Sequence, residues 1–108
     1  GENTTQGVPI HEIDQPQSTG DPWVAPNGSY LIFTKYDFRN WDQTCDLYIS
    51  FRHGSKWSEP IELKELNSEG PDFGVAISPD EEWVYYRRSY QFIKVQFKEL
   101  LEKYQGKS

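Results

Sequence analysis

The sequence predicts an all-β chain of two related strand units followed by a short amphipathic helix. Three observations carry this. A succession of turn signals occurs twice, apolar residues alternate with a period of two along the segments between them, and after Phe97 the apolar spacing becomes helical.

The repeat is read from its turn residues. Pro9-Ile10, Ser18-Thr19-Gly20-Asp21-Pro22 and Ala25-Pro26-Asn27 return as Pro60-Ile61, Ser68-Glu69-Gly70-Pro71-Asp72 and Ser78-Pro79-Asp80. The offset moves from 51 to 50 to 53, as expected when strands repeat and loops vary. After each Pro-Asn or Pro-Asp turn comes a β-rich run, Tyr30-Leu31-Ile32-Phe33-Thr34 and then Trp83-Val84-Tyr85-Tyr86. A further strand in each unit alternates: Leu47, Ile49 and Phe51 share one face of the first and Ile93, Val95 and Phe97 one face of the second, and matching by apolarity makes the two sets equivalent.

Between the units, Trp57 through Pro60 to Leu66 is expected to form an edge strand, because a proline cannot donate to a ladder. Asn27-Gly28 supplies the positive φ of a tight hairpin, whereas Glu81-Glu82 at the corresponding place is expected to turn differently. Phe97, Leu100, Leu101 and Tyr104 share one helical face, Glu99 and Lys103 are expected to pair four residues apart, and Gly106 is the stop.

Length bounds the organisation. A chain of 108 residues fits one domain, here 1–108, with unit one at about 9–59, unit two at about 60–97 and the helix at about 97–105. Only 35% of the residues are apolar, but four Trp, seven Tyr and six Phe supply a core. The net charge of −6, with no Lys or Arg before Lys35, argues against a nucleic-acid partner. Cys45 stands alone, which excludes an internal disulfide and a cysteine-based zinc site. No apolar run is long enough to span a bilayer. The chain has no Met, so Gly1 reads as a processing or cleavage product.

These residues carry a family resemblance. Gly20-Asp21-Pro22, Ala25-Pro26-Asn27-Gly28-Ser29-Tyr30-Leu31-Ile32-Phe33, Asp46-Leu47-Tyr48-Ile49-Ser50 and Gly54-Ser55-Lys56-Trp57-Ser58-Glu59-Pro60 together resemble the PD40 (WD40-like) repeat of TolB-like β-propellers, over about Pro9 to Phe97. The second copy departs from the family pattern by losing the turn glycine, and resembles a degraded terminal blade. The resemblance implies four-stranded blades, usually six to a ring, and an exported, periplasmic protein. Two blades alone do not close a ring; completion by copies of the same chain is one route.

No residue set announces a reaction. His11 and His53 lie far apart and read as exposed loop histidines, and neither sits in a metal-binding helix motif. Asp21, Asp42, Asp46, Asp72 and Asp80 could supply a carboxylate pair, but they sit beside turns and strand starts, where bonding to local backbone N–H groups explains most of them. The Gly-x-Ser-x-Gly elbow of a serine nucleophile is absent. Neither a cofactor nor a metal is expected. Arg87 and Arg88 fall on opposite faces of one strand. The most suggestive stretch for binding is Tyr36, Phe38, Arg39, Trp41 and Asp42, whose aromatic and polar side chains suit a sugar or a peptide.

The expected function is therefore a non-enzymatic binding module recognising a protein or carbohydrate. A carbohydrate-active lyase or hydrolase fragment and a self-assembling unit that completes a ring are the alternatives.

Overall fold

The computed structural model describes residues 18–36, 45–68 and 70–106. Among these residues eight strands precede one helix: β1 (Ser18–Val24), β2 (Tyr30–Tyr36), β3 (Asp46–His53), β4 (Lys56–Trp57), β5 (Ile61–Glu62), β6 (Asp72–Ile77), β7 (Trp83–Arg88), β8 (Gln91–Gln96) and α1 (Lys98–Gln105). The all-β expectation with a C-terminal helix holds. β1, β2 and β3 form an antiparallel meander with β4 and β5 both paired to β3, and β6, β7 and β8 form a second meander.

The first strand pair and its turn share local geometry in the two units at an offset of 53 residues, as in Ala25 to Ser78 and Gly28 to Glu81. Ala25 N–H donates to Tyr30 O at 3.0 Å and Gly28 N–H to Ala25 O at 2.8 Å; Ser78 N–H donates to Trp83 O and Glu81 N–H to Ser78 O, both at 2.9 Å. The Asn27 carboxamide oxygen accepts the Ser29 N–H as the Asp80 carboxylate accepts that of Glu82, each at 3.0 Å. The expectation of a different second turn is thus corrected. Glu81 takes the left-handed conformation, φ 62°, that Gly28 takes at 73°.

A side chain at positive φ costs about 1 kcal/mol, and a tertiary bond at the same residue offsets it. The Tyr30 hydroxyl donates to Glu81 Oε2 at 2.5 Å, joining the turns of the two units. Burial first, and then this bond, push the Tyr30 phenol far above its ordinary range, so it remains a donor. Replacing Glu81 with Ala keeps the strain and removes the bond, and is expected to lower stability by about 1 kcal/mol; Glu81→Gly removes both and is expected to stay within about 0.5 kcal/mol of the parent in urea unfolding.

Register fixes which faces meet. Trp23, Ile32, Ile49 and Ile61 are cross-strand partners on one face of the first sheet, and this face is apolar and enters the core. Ile77, Val84 and Val95 are partners on the core face of the second sheet, as are Tyr86 and Ile93. The pairing of Ile32 with Ile49 corresponds to that of Tyr85 with Lys94, so alignment by apolarity slipped by one residue. In strands of period two, one residue of slip changes the face. The sheets therefore stack by opposite faces. The residues equivalent to the first sheet's core face lie on the outside of the second.

The connection between the sheets holds a buried polar hub. Asp72, fully buried, accepts from Ser68 N–H at 2.7 Å, Ser68 Oγ–H at 2.9 Å and Arg88 Nε–H at 3.1 Å. Arg88 also donates to Leu66 O at 3.0 Å and to the Tyr86 hydroxyl at 3.1 Å, and that hydroxyl donates to Leu66 O at 2.7 Å. Ordinary hydrogen bonding therefore accounts for Asp72, as it does for Asp80.

The expected edge strand is broken in two. Between β4 and β5, Ser58 continues the pairing through its N–H to Phe51 O at 2.7 Å, while its hydroxyl accepts the Phe51 N–H at 3.0 Å. Pro60 falls in this break, where no ladder donor is missed.

Helix α1 begins after Phe97 and buries Leu101 and Tyr104. Lys103 pairs with Glu65 rather than with Glu99, a correction that follows from docking: the Tyr104 hydroxyl donates to the same carboxylate and brings both ends of Glu65 into use. Burial raises the Glu65 pKa, but the bonds from Lys103 and Tyr104 outweigh it and hold the carboxyl at about 2. Burial and the Glu65 bond raise Tyr104 to about 12.

Candidate interaction face

The outer face of the second sheet is built from three cross-strand rows. Phe73, Arg87 and Phe92 form one, Ala76, Tyr85 and Lys94 the next, and Trp83 and Gln96 the third. Strand pairing puts a cation beside rings in the first two. The Arg87 guanidinium lies between the Phe73 and Phe92 rings, 5.3 and 5.5 Å from their centroids. Lys94 Nζ lies 4.0 Å from the Trp83 ring centroid and 5.9 Å from that of Tyr85. Each contact stabilises by roughly 0.5–1 kcal/mol at an exposed site and orders a long side chain.

This face is open to solvent. Phe92 is 83% exposed, Tyr85 41% and Tyr90, in the β7–β8 turn, 93%; of the large hydrophobic side chains exposed among the described residues, these three belong to one sheet. Scattered exposed apolar residues need no explanation, but a cluster interleaved with two cations does. Neither Arg87 nor Lys94 forms an ion pair with a carboxylate among the described residues. Arg87 donates to Ser89 O at 3.3 Å, and its Nε–H is buried with no partner among the described residues.

Ile93 and Val95 alternate with Phe92 and Lys94, so alternation already puts Phe92 on the face opposite theirs, and the register and packing make that face the outer one. The expected placement of Arg87 and Arg88 on opposite faces is met: Arg87 lies outside, and Arg88 points inward to Asp72.

Of the residues expected to bind, Tyr36 is half-buried at the end of β2, with its ring beside Gly20. Phe38, Arg39, Trp41 and Asp42 lie outside the described residues. Tyr36 sits at the same end of the stacked sheets as the β7–β8 turn, since Asp72 N–H donates to Cys45 O and Ser89 N–H to Pro71 O. Cys45 is buried.

Asp46 occupies that end too, opposite Lys35 in the β2–β3 register. Burial, then the nearby charges of Glu62 and Asp72, push its carboxyl up to about 6. A carboxyl raised in the folded state binds its proton more tightly there than in the unfolded chain, so stability falls as pH rises from about 4 to about 6. Asp46→Asn is expected to remove this slope and to be the more stable protein above pH 6, as measured by urea unfolding across that range.

At the opposite end a cleft of about 250 Å³ lies between the two turns and α1, lined by Asn27, Tyr30, Asp80, Glu81, Lys98 and Glu102 among others. Two of its carboxylates have structural employment. Glu81 holds Tyr30, and Asp80 accepts from Ser78 Oγ–H and Glu82 N–H, which hold its pKa below the usual carboxylate value. His53 is exposed at the end of β3, and His11 lies outside the described residues. Among the described residues no group of three or more His, Cys, Asp or Glu is placed to hold a metal ion, and no helix is long and apolar enough to cross a membrane.

Set against known proteins, the chain matches no family model, no curated protein and no solved structure.

Proposed function

We propose that the chain is a non-enzymatic interaction module of TolB-like propeller type, exported from the cytoplasm, which recognises a protein or carbohydrate partner. Its second unit ends a series of blades, and the outer face of that unit is a contact surface. One observation carries the reading: positions that are apolar and core-facing in the first sheet, Ile32, Ile49 and Phe51, correspond to exposed Tyr85, Lys94 and Gln96 in the second. A face meant for dry stacking would keep its apolar residues, because burying an unpaired ammonium costs several kcal/mol. Propeller type and export rest on the sequence resemblance, and Tyr36, Phe38, Arg39, Trp41 and Asp42 form a second proposed contact.

The reading is tested by panning the immobilised chain against a random-peptide display library and a glycan array, beside a Phe92→Ser/Lys94→Glu variant whose fold is checked by circular dichroism. Binders selected by the parent and lost by the variant support it. A panel that binds both proteins equally, or neither, counts against the outer face as a contact surface.

A further inference from the structure

We infer that the β8 edge and the adjoining outer face form a docking site for an extended acidic peptide, which adds as a further strand beside β8; this rests on the outer face being a contact surface. Three features carry the inference. First, among the described residues β8 pairs with β7 alone, in continuous register from Gln91 to Gln96 with no bulge. The backbone N–H and C=O groups that point away from β7 form an open ladder, and the edge contains no proline. Second, the side chains on β8 that face outward are exposed: Phe92, Lys94 and Gln96 alternate along the strand. A strand laid beside them would place its own alternate side chains about 6–7 Å apart on the same face, one step from each of these residues.

Third, charge selects the class of peptide. Lys94, with Arg87 one strand further in, puts two cations without carboxylate partners among the described residues on one face of a chain whose net charge is −6. Both are already ordered on aromatic rings, so little side-chain freedom remains to be lost when a carboxylate arrives. The matching peptide carries Asp or Glu beside Lys94 and an apolar or aromatic residue two positions away, beside Phe92. A neutral glycan could stack on the rings but would use neither the backbone ladder nor the cations.

The test is an amide NMR titration of the whole labelled chain with three probes: a blocked peptide of roughly ten residues alternating Glu with Val, its Lys-Val counterpart, and a neutral β-glucan oligosaccharide. The Glu-Val peptide is expected to shift the Gln91–Gln96 amides in a salt-dependent manner. Lys94→Glu, an exposed substitution whose fold the spectrum itself reports, is expected to weaken that peptide about tenfold or more and to favour the Lys-Val peptide. Glucan-only shifts would overturn the acidic-peptide site while leaving the contact surface in place. Shifts from both peptides alike would overturn the charge selection, and concentration-dependent shifts of β8 without any probe would assign the edge to a second copy. Silence from all three overturns the site, and the display panel then decides whether the face binds anything.

Discussion

Removing the Asp72 carboxylate, as Asp72→Ala, is expected to destabilise the protein by about 3 kcal/mol, because a buried charge pair that loses one partner leaves the other uncompensated. Three donors depend on Asp72: the N–H and hydroxyl of Ser68 and Nε–H of Arg88. The Arg88 side chain is 35% exposed and can turn toward water, which keeps the loss at the lower end of the range for buried pairs. Ser68 lies in the link between the sheets and cannot escape so easily. Asp72→Asn preserves shape and acceptor but not charge, and should cost about half as much. Urea midpoints measured with unchanged slopes check both values. A fall below about 1 kcal/mol for the alanine variant would mean that the hub is solvated and does not join the sheets.

Tyr30→Ala is expected to cost about 4 kcal/mol, the range for a large buried aromatic whose site cannot fully collapse. Tyr30 is buried where the strands and the helix start converge, its ring centroid lying 6.0 Å from Trp23 and 6.1 Å from both Phe51 and Phe97. Tyr30→Phe keeps that packing and loses only the bond to Glu81, for about 1 kcal/mol. Because Tyr30→Phe and Glu81→Ala remove the same bond, the double variant should be no less stable than the worse single one. Simple addition in that cycle would show that the two turns are not joined through the hydroxyl.

Much of this architecture was legible in the sequence for physical reasons. Runs rich in β-branched and aromatic residues marked β2 and β7, alternation marked β3 and β8, turn residues marked their boundaries, and the change of spacing after Phe97 marked α1. What sequence could not supply was the equivalence of faces between the two units. Ile93 and Val95 looked equivalent to Leu47 and Ile49 because all are apolar, yet each sheet buries a different face in the stack, and only register separates the two arrangements. The Glu81 turn was misread because the left-handed conformation favours glycine, and the bond that supports a glutamate there comes from a residue 51 positions away. Lys103 was paired with Glu99 by helix spacing, but docking supplied Glu65. In the site, the split of Arg87 from Arg88 and the placing of Phe92 opposite Ile93 and Val95 were both readable from strand alternation, whereas the cross-strand rows that set Arg87 and Lys94 on aromatic rings came from the register.

The same register bears on self-assembly. If copies of the chain closed a ring by blade stacking, the outer face of β6, β7 and β8 would be covered by the next copy, burying Arg87 and Lys94 among apolar residues at a cost of several kcal/mol. Light scattering during size-exclusion chromatography tests this most directly. A monomer of 12.7 kDa that is indifferent to concentration and to Lys94→Glu is expected. A trimer that Lys94→Glu disrupts would contradict it, and would make the outer face a seam between copies rather than a surface for a partner.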